Sequence, residues 1–308
     1  MKKSYFLMAA AAALFAACAE TDFVNEAAVV EGNAPQAIGF EGFAGKSTRA
    51  EIADLATLKG ATVGFKVWGY RGSQALWDSG EEVTWNTTPE SDAWTYDDTR
   101  YWDKNSEYKF GAIAPKGVTG SFSTASKYSI TGDIASGPIA SATDYLTADP
   151  VIDPTHGQRV DFTFSHIMSK VTLKLTTSIA NVKVTSVTMS GWNNNTATYT
   201  DDAWAFNTGT PAAPATFVST ETTVPNDVNG YTAPSFLFVP QTADLRFTVN
   251  YKIGEFVYSD QVATVDDQEW LNNEHTVYTL SIGPSAIIFG VNDDLAWDET
   301  EVAAVQPE

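Results

Sequence analysis

Few residues in this chain could do chemistry. The three histidines, His156, His166 and His275, lie far apart in sequence, and none has a partner at metal-ligand spacing. No Gly-x-Ser-x-Gly elbow and no glycine loop for phosphate is present. Paired acids stand at Asp97-Asp98, Asp201-Asp202, Asp266-Asp267 and Asp293-Asp294. They lack the alternating oxygen spacing of a calcium loop and read as turn formers on a solvated surface. His166 reads as a strand residue at a domain junction. No catalytic residue, metal or cofactor is expected, and the chain does not read as an enzyme. The aromatic residues are the other candidates: Trp68, Trp77, Trp85, Trp94 and Trp102 crowd one stretch, with Tyr70, Tyr96 and Tyr101 among them. Such rings can stack on sugars, and glycan binding is the alternative reading. The preferred one is core packing, because each ring buries a large apolar area.

The single cysteine has a different chemistry open to it. Lys2 and Lys3 precede an uncharged apolar stretch, Tyr5 to Ala17, which is shorter than the about 20 residues a membrane-spanning helix needs. It ends in Leu14-Phe15-Ala16-Ala17-Cys18, which resembles the lipobox of bacterial lipoproteins. Residues 1–18 are therefore expected to be a signal peptide, with Cys18 the lipid-modified first residue of the mature chain. The folded part then contains no cysteine, and no disulfide staples it. Acidic Glu20 and Asp22 soon after Cys18 resemble the surface-export signal of Bacteroidota lipoproteins. With a net charge of −20, the chain lacks the clustered Lys and Arg that nucleic acid requires, so nucleic acid is not an expected partner.

The elements that would position these residues are strands. Segment 61–70 alternates Val63, Phe65 and Val67 against smaller or polar neighbours, and 108–113 stops at Pro115. The longest run, 160–175, has an apolar face of Val160, Phe162 and Phe164 that changes phase near His166 to Val171, Leu173 and Leu175. A phase change implies either a bulge or two strands joined by a short crossing. Later runs are 182–189, 235–239, 245–253, 257–265 and 275–282, punctuated by Asn193-Asn194-Asn195, Asp201-Asp202, Pro225-Asn226-Asp227 and Asn272-Asn273. Helical turns are expected only at 52–58 and near Trp270. The fold class is all-β, in antiparallel sandwiches. The expected division is a tether and first strand over 19–49, an N-terminal β-sandwich over 50–168 and a C-terminal one over 169–308.

Several of these features together resemble the fimbrillins of Bacteroidales, subunits of type V pili. They are the lipobox at Cys18, Ser47-Thr48-Arg49-Ala50, Phe65 to Tyr70, and Trp94-Thr95-Tyr96 followed by Tyr101-Trp102. Tyr108-Lys109-Phe110 running to Pro115, Val160 to His166 with Lys170-Val171, Val239-Pro240-Gln241, Trp270 to Tyr278 and the late Trp297 complete the set. The resemblance implies two tandem transthyretin-like domains and a fimbrial subunit, of shaft or tip, with a role in cell adhesion. It further implies an outer-membrane lipoprotein cut by an arginine-specific protease after Arg49, ahead of Ala50. The cut releases the first strand, and a C-terminal strand of another subunit fills the gap. Its partners would be other fimbrial subunits in a homo- or hetero-polymer, the outer membrane through the lipid on Cys18, and a host or bacterial surface ligand. The alternative is a non-polymerising surface lipoprotein that binds glycan.

The residues add their own support. Ile38 and Phe40 stand two apart ahead of Arg49, with Phe43 beyond them, and Ile287 and Phe289 stand two apart near the other end, followed by Val291. Residues two apart share one face of a strand. The removable strand is thus expected to carry Ile38, Phe40 and Phe43, and the donor strand Ile287, Phe289 and Val291. The tail 285–308 continues apolar through Leu295 and Trp297, with nothing obvious to pair with, and reads as a donor extension; the alternative is that it forms the final strand of its own domain.

Overall fold

In a computed structural model, residues 35–44, 55–60, 62–88, 91–193, 196–207, 212–284 and 287–296 are described. The described residues from Gln36 onward belong to one compact unit.

Among the described residues the strands form four sheets, and the only helix is the single turn Leu55–Leu58. The largest sheet has nine strands. Its main path runs Gly39–Ala44, Arg159–His166, Leu146–Ala148, Tyr108–Ala114, Phe65–Arg71, Glu81–Thr88 and Ser91–Thr95. A six-stranded sheet holds Ile287–Ala296, Glu274–Ile282, Ser169–Thr176, Phe236–Phe238 and Gly137–Pro138 along its path. A five-stranded sheet is built on Ala215–Val218, Val182–Ser190, Gln241–Ile253 and Phe256–Trp270. The four-stranded sheet joins Gly120–Phe122 and Tyr128–Ala135 to Thr196–Thr200 and Ala203–Phe206.

The phase change at His166 resolves into two strands. Arg159–His166 alternates exposed and buried residues and ends in the nine-stranded sheet. Ile167 and Met168, 2% and 0% exposed, carry the chain across to Ser169–Thr176 in the six-stranded sheet. Alternation is lost there because both faces of that strand are covered.

Two details of the sequence reading need correction. The sheets are not wholly antiparallel: Gly39–Ala44 runs parallel to Arg159–His166, and Ser169–Thr176 runs parallel to Glu274–Ile282. In both pairs a long intervening chain supplies the crossover that parallel pairing requires. Nor is Trp270 in a helical turn. It ends the strand Phe256–Trp270, where its indole N–H donates to the Tyr278 hydroxyl at 2.9 Å and its ring lies 4.5 Å from that of Phe238. These tertiary contacts override the local signal.

Three apolar cores result. One draws only on residues between Ile38 and Phe164, and a second only on residues between Val171 and Ile282. The third, around Trp68, Ile113, Met168 and Leu237, takes side chains from both halves of the chain.

Candidate functional site: the first and last strands

The first strand, Gly39–Ala44, lies at an end of the nine-stranded sheet and has one ladder neighbour. Gly39 stands opposite Arg159, Phe40 opposite Val160, Phe43 opposite Thr163 and Ala44 opposite Phe164. Ile38 and Phe40 turn inward and are 1% and 2% exposed. Phe40 sits in a nest of rings, with centroids 5.2 Å from Tyr96, 6.0 Å from Phe162, 6.1 Å from Trp77, 6.2 Å from Phe110 and 6.4 Å from Phe65.

A clasp holds the approach to this strand. The Ile38 N–H donates to the Arg100 carbonyl at 2.8 Å, and the Trp102 N–H donates to the Gln36 carbonyl at 2.9 Å. The Tyr96 hydroxyl donates to the Ile38 carbonyl at 2.6 Å. Burial pushes the Tyr96 phenol above its ordinary pKa, so this donor keeps its proton. Glu41 and Arg159 pair across the ladder at 2.9 Å. Both partners are well exposed and add little. Sequence reasoning missed the clasp. The Trp94-Thr95-Tyr96 and Tyr101-Trp102 motifs were its traces, and they gave no pairing because most of the partners are backbone groups.

The last strand, Ile287–Ala296, pairs antiparallel with Glu274–Ile282 at an edge of the six-stranded sheet. Residues 287–296 thus have a partner in their own chain, as in the alternative reading of the tail as a final strand of its own domain. Leu280 faces Phe289 and Tyr278 faces Val291, with a register shift between His275 and Val277. Ile287 and Phe289 are partly buried against the second core, the Phe289 ring lying 5.4 Å from Phe247 and 5.7 Å from Tyr278. Val291 does not join them: it is 37% exposed, and Ile288 on the other face is 54% exposed. The common spacing of Ile287, Phe289 and Val291 thus gives two core contacts and one surface residue. Cys18, Arg49, Ala50 and Trp297 lie outside the described residues.

The other candidates are structural. Trp68, Trp77, Trp94 and Trp102 are buried, and Trp68 belongs to a different core from the other three. Trp85 meets Trp94 edge-on at 78° and carries the Lys59 ammonium 3.4 Å above its ring. These rings form no exposed stack for a sugar. The histidines are scattered. His156 stacks on Trp102, and His166 Nδ1 lies 2.8 Å from Asp144 Oδ1. His275 Nε2 lies 2.8 Å from Thr172 Oγ1, and burial, aided by Lys170, pushes its imidazole down to about 4. Asp201 and Asp202 take positive φ in the turn before Ala203–Phe206.

Comparison with known proteins fits this architecture. A fimbrial protein from Bacteroides vulgatus superposes with a TM-score of 0.62 at 18% identity, over 85% of this chain and 99% of that one. A candidate cell adhesion protein from Bacteroides ovatus gives 0.59 at 14% identity, over 87% and 100%. A second, from Bacteroides uniformis, gives 0.56 at 16%, over 85% and 98%. At such identities the likeness is one of fold. No curated protein matches the sequence. Residues 48–293 match the fimbrillin-like family, and the chain belongs to that family.

Proposed function

We propose that this chain is a structural subunit of a surface fimbria, at shaft or tip, assembled by exchange of an edge strand. It reaches the outer membrane as a lipoprotein held through Cys18. An arginine-specific protease cuts between Arg49 and Ala50, the first strand leaves with the lipid, and a strand from another subunit takes its place. The last strand, with Ile287, Phe289 and Val291, is the segment it offers in turn. Residues 50–168 and 169–308 are read as two transthyretin-like domains, a division supported by the two cores confined to single halves.

One observation carries this reading. The segment ahead of Arg49 is an edge strand, joined to the sheet through one ladder, yet it fills the first core with Ile38 and Phe40. Removing it would open a groove with a row of unpaired backbone groups and an apolar floor. Burying two such side chains is worth roughly 1.5–3 kcal/mol each, and ladder bonds add affinity with little demand on sequence. The groove would therefore recruit another strand.

The test is Arg49→Ala, expressed in the native bacterium. The variant is expected at the surface, full length and lipidated, without fibres. Normal fibres built from it would refute the processing step.

A further inference from the structure

On the inward face of the first strand, glycine follows isoleucine and phenylalanine at the same spacing: Ile38, Phe40, Gly42. All three are buried. Gly42 is not required by backbone conformation, since it is not among the positive-φ glycines. It is required by space. A Cβ placed on it would lie 3.4 Å from each of Leu58 Cδ2, Phe164 Cε2 and Phe65 Cε1. Carbons from three residues at contact distance leave room for a methyl group and nothing larger. The groove beneath this strand is thus deep at two positions and shallow at the third.

The chain's own last strand does not match that profile. Its sequence there is Ile287-Ile288-Phe289-Gly290-Val291. Setting Phe289 in the ring nest, in the direction of the first strand, brings Val291 onto the shallow position. Reversing the direction brings Ile287 there. Either way a β-branched side chain meets Leu58, Phe65 and Phe164. Shifting by one residue lays Gly290 on the shallow position, but it leaves Ile288 in a nest shaped for a ring and turns Phe289 out to water.

Building on the strand-exchange reading, we propose that the vacated groove selects an aromatic residue with glycine or alanine two residues away. Its fitting occupant is then a strand of a different subunit, not residues 287–291 of a second copy. The recognition is steric, and Gly42 marks the determining position.

Two measurements test this. In the intact chain, Gly42→Ala should unfold near the native midpoint, whereas Gly42→Val should unfold well below it or fail to fold. A native midpoint for Gly42→Val overturns the size rule. The second measurement uses the chain after digestion at Arg49 and four fluorescent peptides: 37–44, 286–293, and 286–293 carrying Val291→Gly or Ile287→Gly. The 37–44 peptide should be captured, and native 286–293 should bind about tenfold or more weakly, the scale on which overpacking acts. One of the two glycine variants should recover binding, and which one does reports the strand's direction. Equal capture of 37–44 and native 286–293, or no recovery by either variant, overturns the proposal. If no peptide binds, 37–44 included, strand exchange fails and this inference fails with it.

Discussion

Replacing Phe40 by alanine removes the largest side chain of the first strand from a site that is 2% exposed and ringed by five aromatic residues. Lost transfer energy and the remaining cavity together cost about 3–5 kcal/mol for a buried phenylalanine. The surrounding rings come from other strands and the segment 77–96, so they cannot all close on the gap. With a urea m-value of about 3 kcal/mol/M, the midpoint of the intact chain should fall by about 1–1.7 M. The strand's edge position adds a second expectation. Its segment opens against one ladder neighbour and the short clasp at Arg100 and Trp102, so part of the loss should appear as local opening before global unfolding. Hydrogen exchange at the amides of 36–44 should therefore accelerate by about a hundredfold or more, with little change in Tyr108–Ala114. Unfolding followed by tryptophan fluorescence, together with amide exchange, reads both. A midpoint shift below about 0.3 M with unchanged exchange at 36–44 would refute the nest as an anchor. A full shift with uniform exchange across the sheet would refute the strand's independence.

Two further outcomes are expected. Tyr96→Phe leaves the ring in the nest but removes the donor to the Ile38 carbonyl, so it should lose about 0.5–1.5 kcal/mol and loosen 36–38 in exchange measurements. His275 titrates near 4 in the folded chain, below its ordinary value of 6.5, because it is buried beside Lys170. The unfolded chain therefore binds the extra proton first. His275's contribution is complete above about pH 6.5 and is lost as pH falls toward 4, on the order of 3 kcal/mol at the bottom of that window. Denaturation curves of His275→Asn should show a flatter acid slope than the native chain, and equal slopes would contradict the assignment.

Where burial falls on one face, the fold can be read from the residues themselves. Val160, Phe162 and Phe164 alternate because Arg159–His166 has one covered face, and Ile38 and Phe40 stand out for the same reason. Reading fails where both faces are covered: Lys170 and Lys174 are buried beside Val171 and Leu173, which no alternation rule predicts. It fails also for pairing, since nothing in 39–44 announces a parallel partner more than a hundred residues away. Gly42 escaped notice because a glycine carries no apolar signal, although its missing side chain is what the core requires. Val291 misled in the opposite sense. Its spacing matches Phe289 and it stands in the same regular stretch of ladder, opposite Tyr278, yet it is exposed, because the core does not extend that far along the strand.

The contrast between the two edge strands bears on how exchange could run. An incoming strand must displace a segment whose Ile38 and Phe40 are buried, clasped by Arg100 and Trp102, and bonded through Tyr96. While the chain is continuous, that segment is joined to the sheet it fills, and its effective concentration is in the millimolar range typical of short linkers. No neighbour at ordinary concentration competes with that. On the strand-exchange reading, a cut at Arg49 leaves the contacts of Ile38 and Phe40 in place. It makes their loss irreversible by dilution, because a departed strand must return as a separate molecule. Over 287–291 the last strand differs in its packing: Ile287 and Phe289 are partly buried, and Ile288 and Val291 are exposed, so these residues give up less apolar contact on leaving their sheet than Ile38 and Phe40 would. On the strand-exchange reading, proteolysis therefore acts as a switch on effective concentration, and the looser packing of the last strand suits it to be the segment that moves.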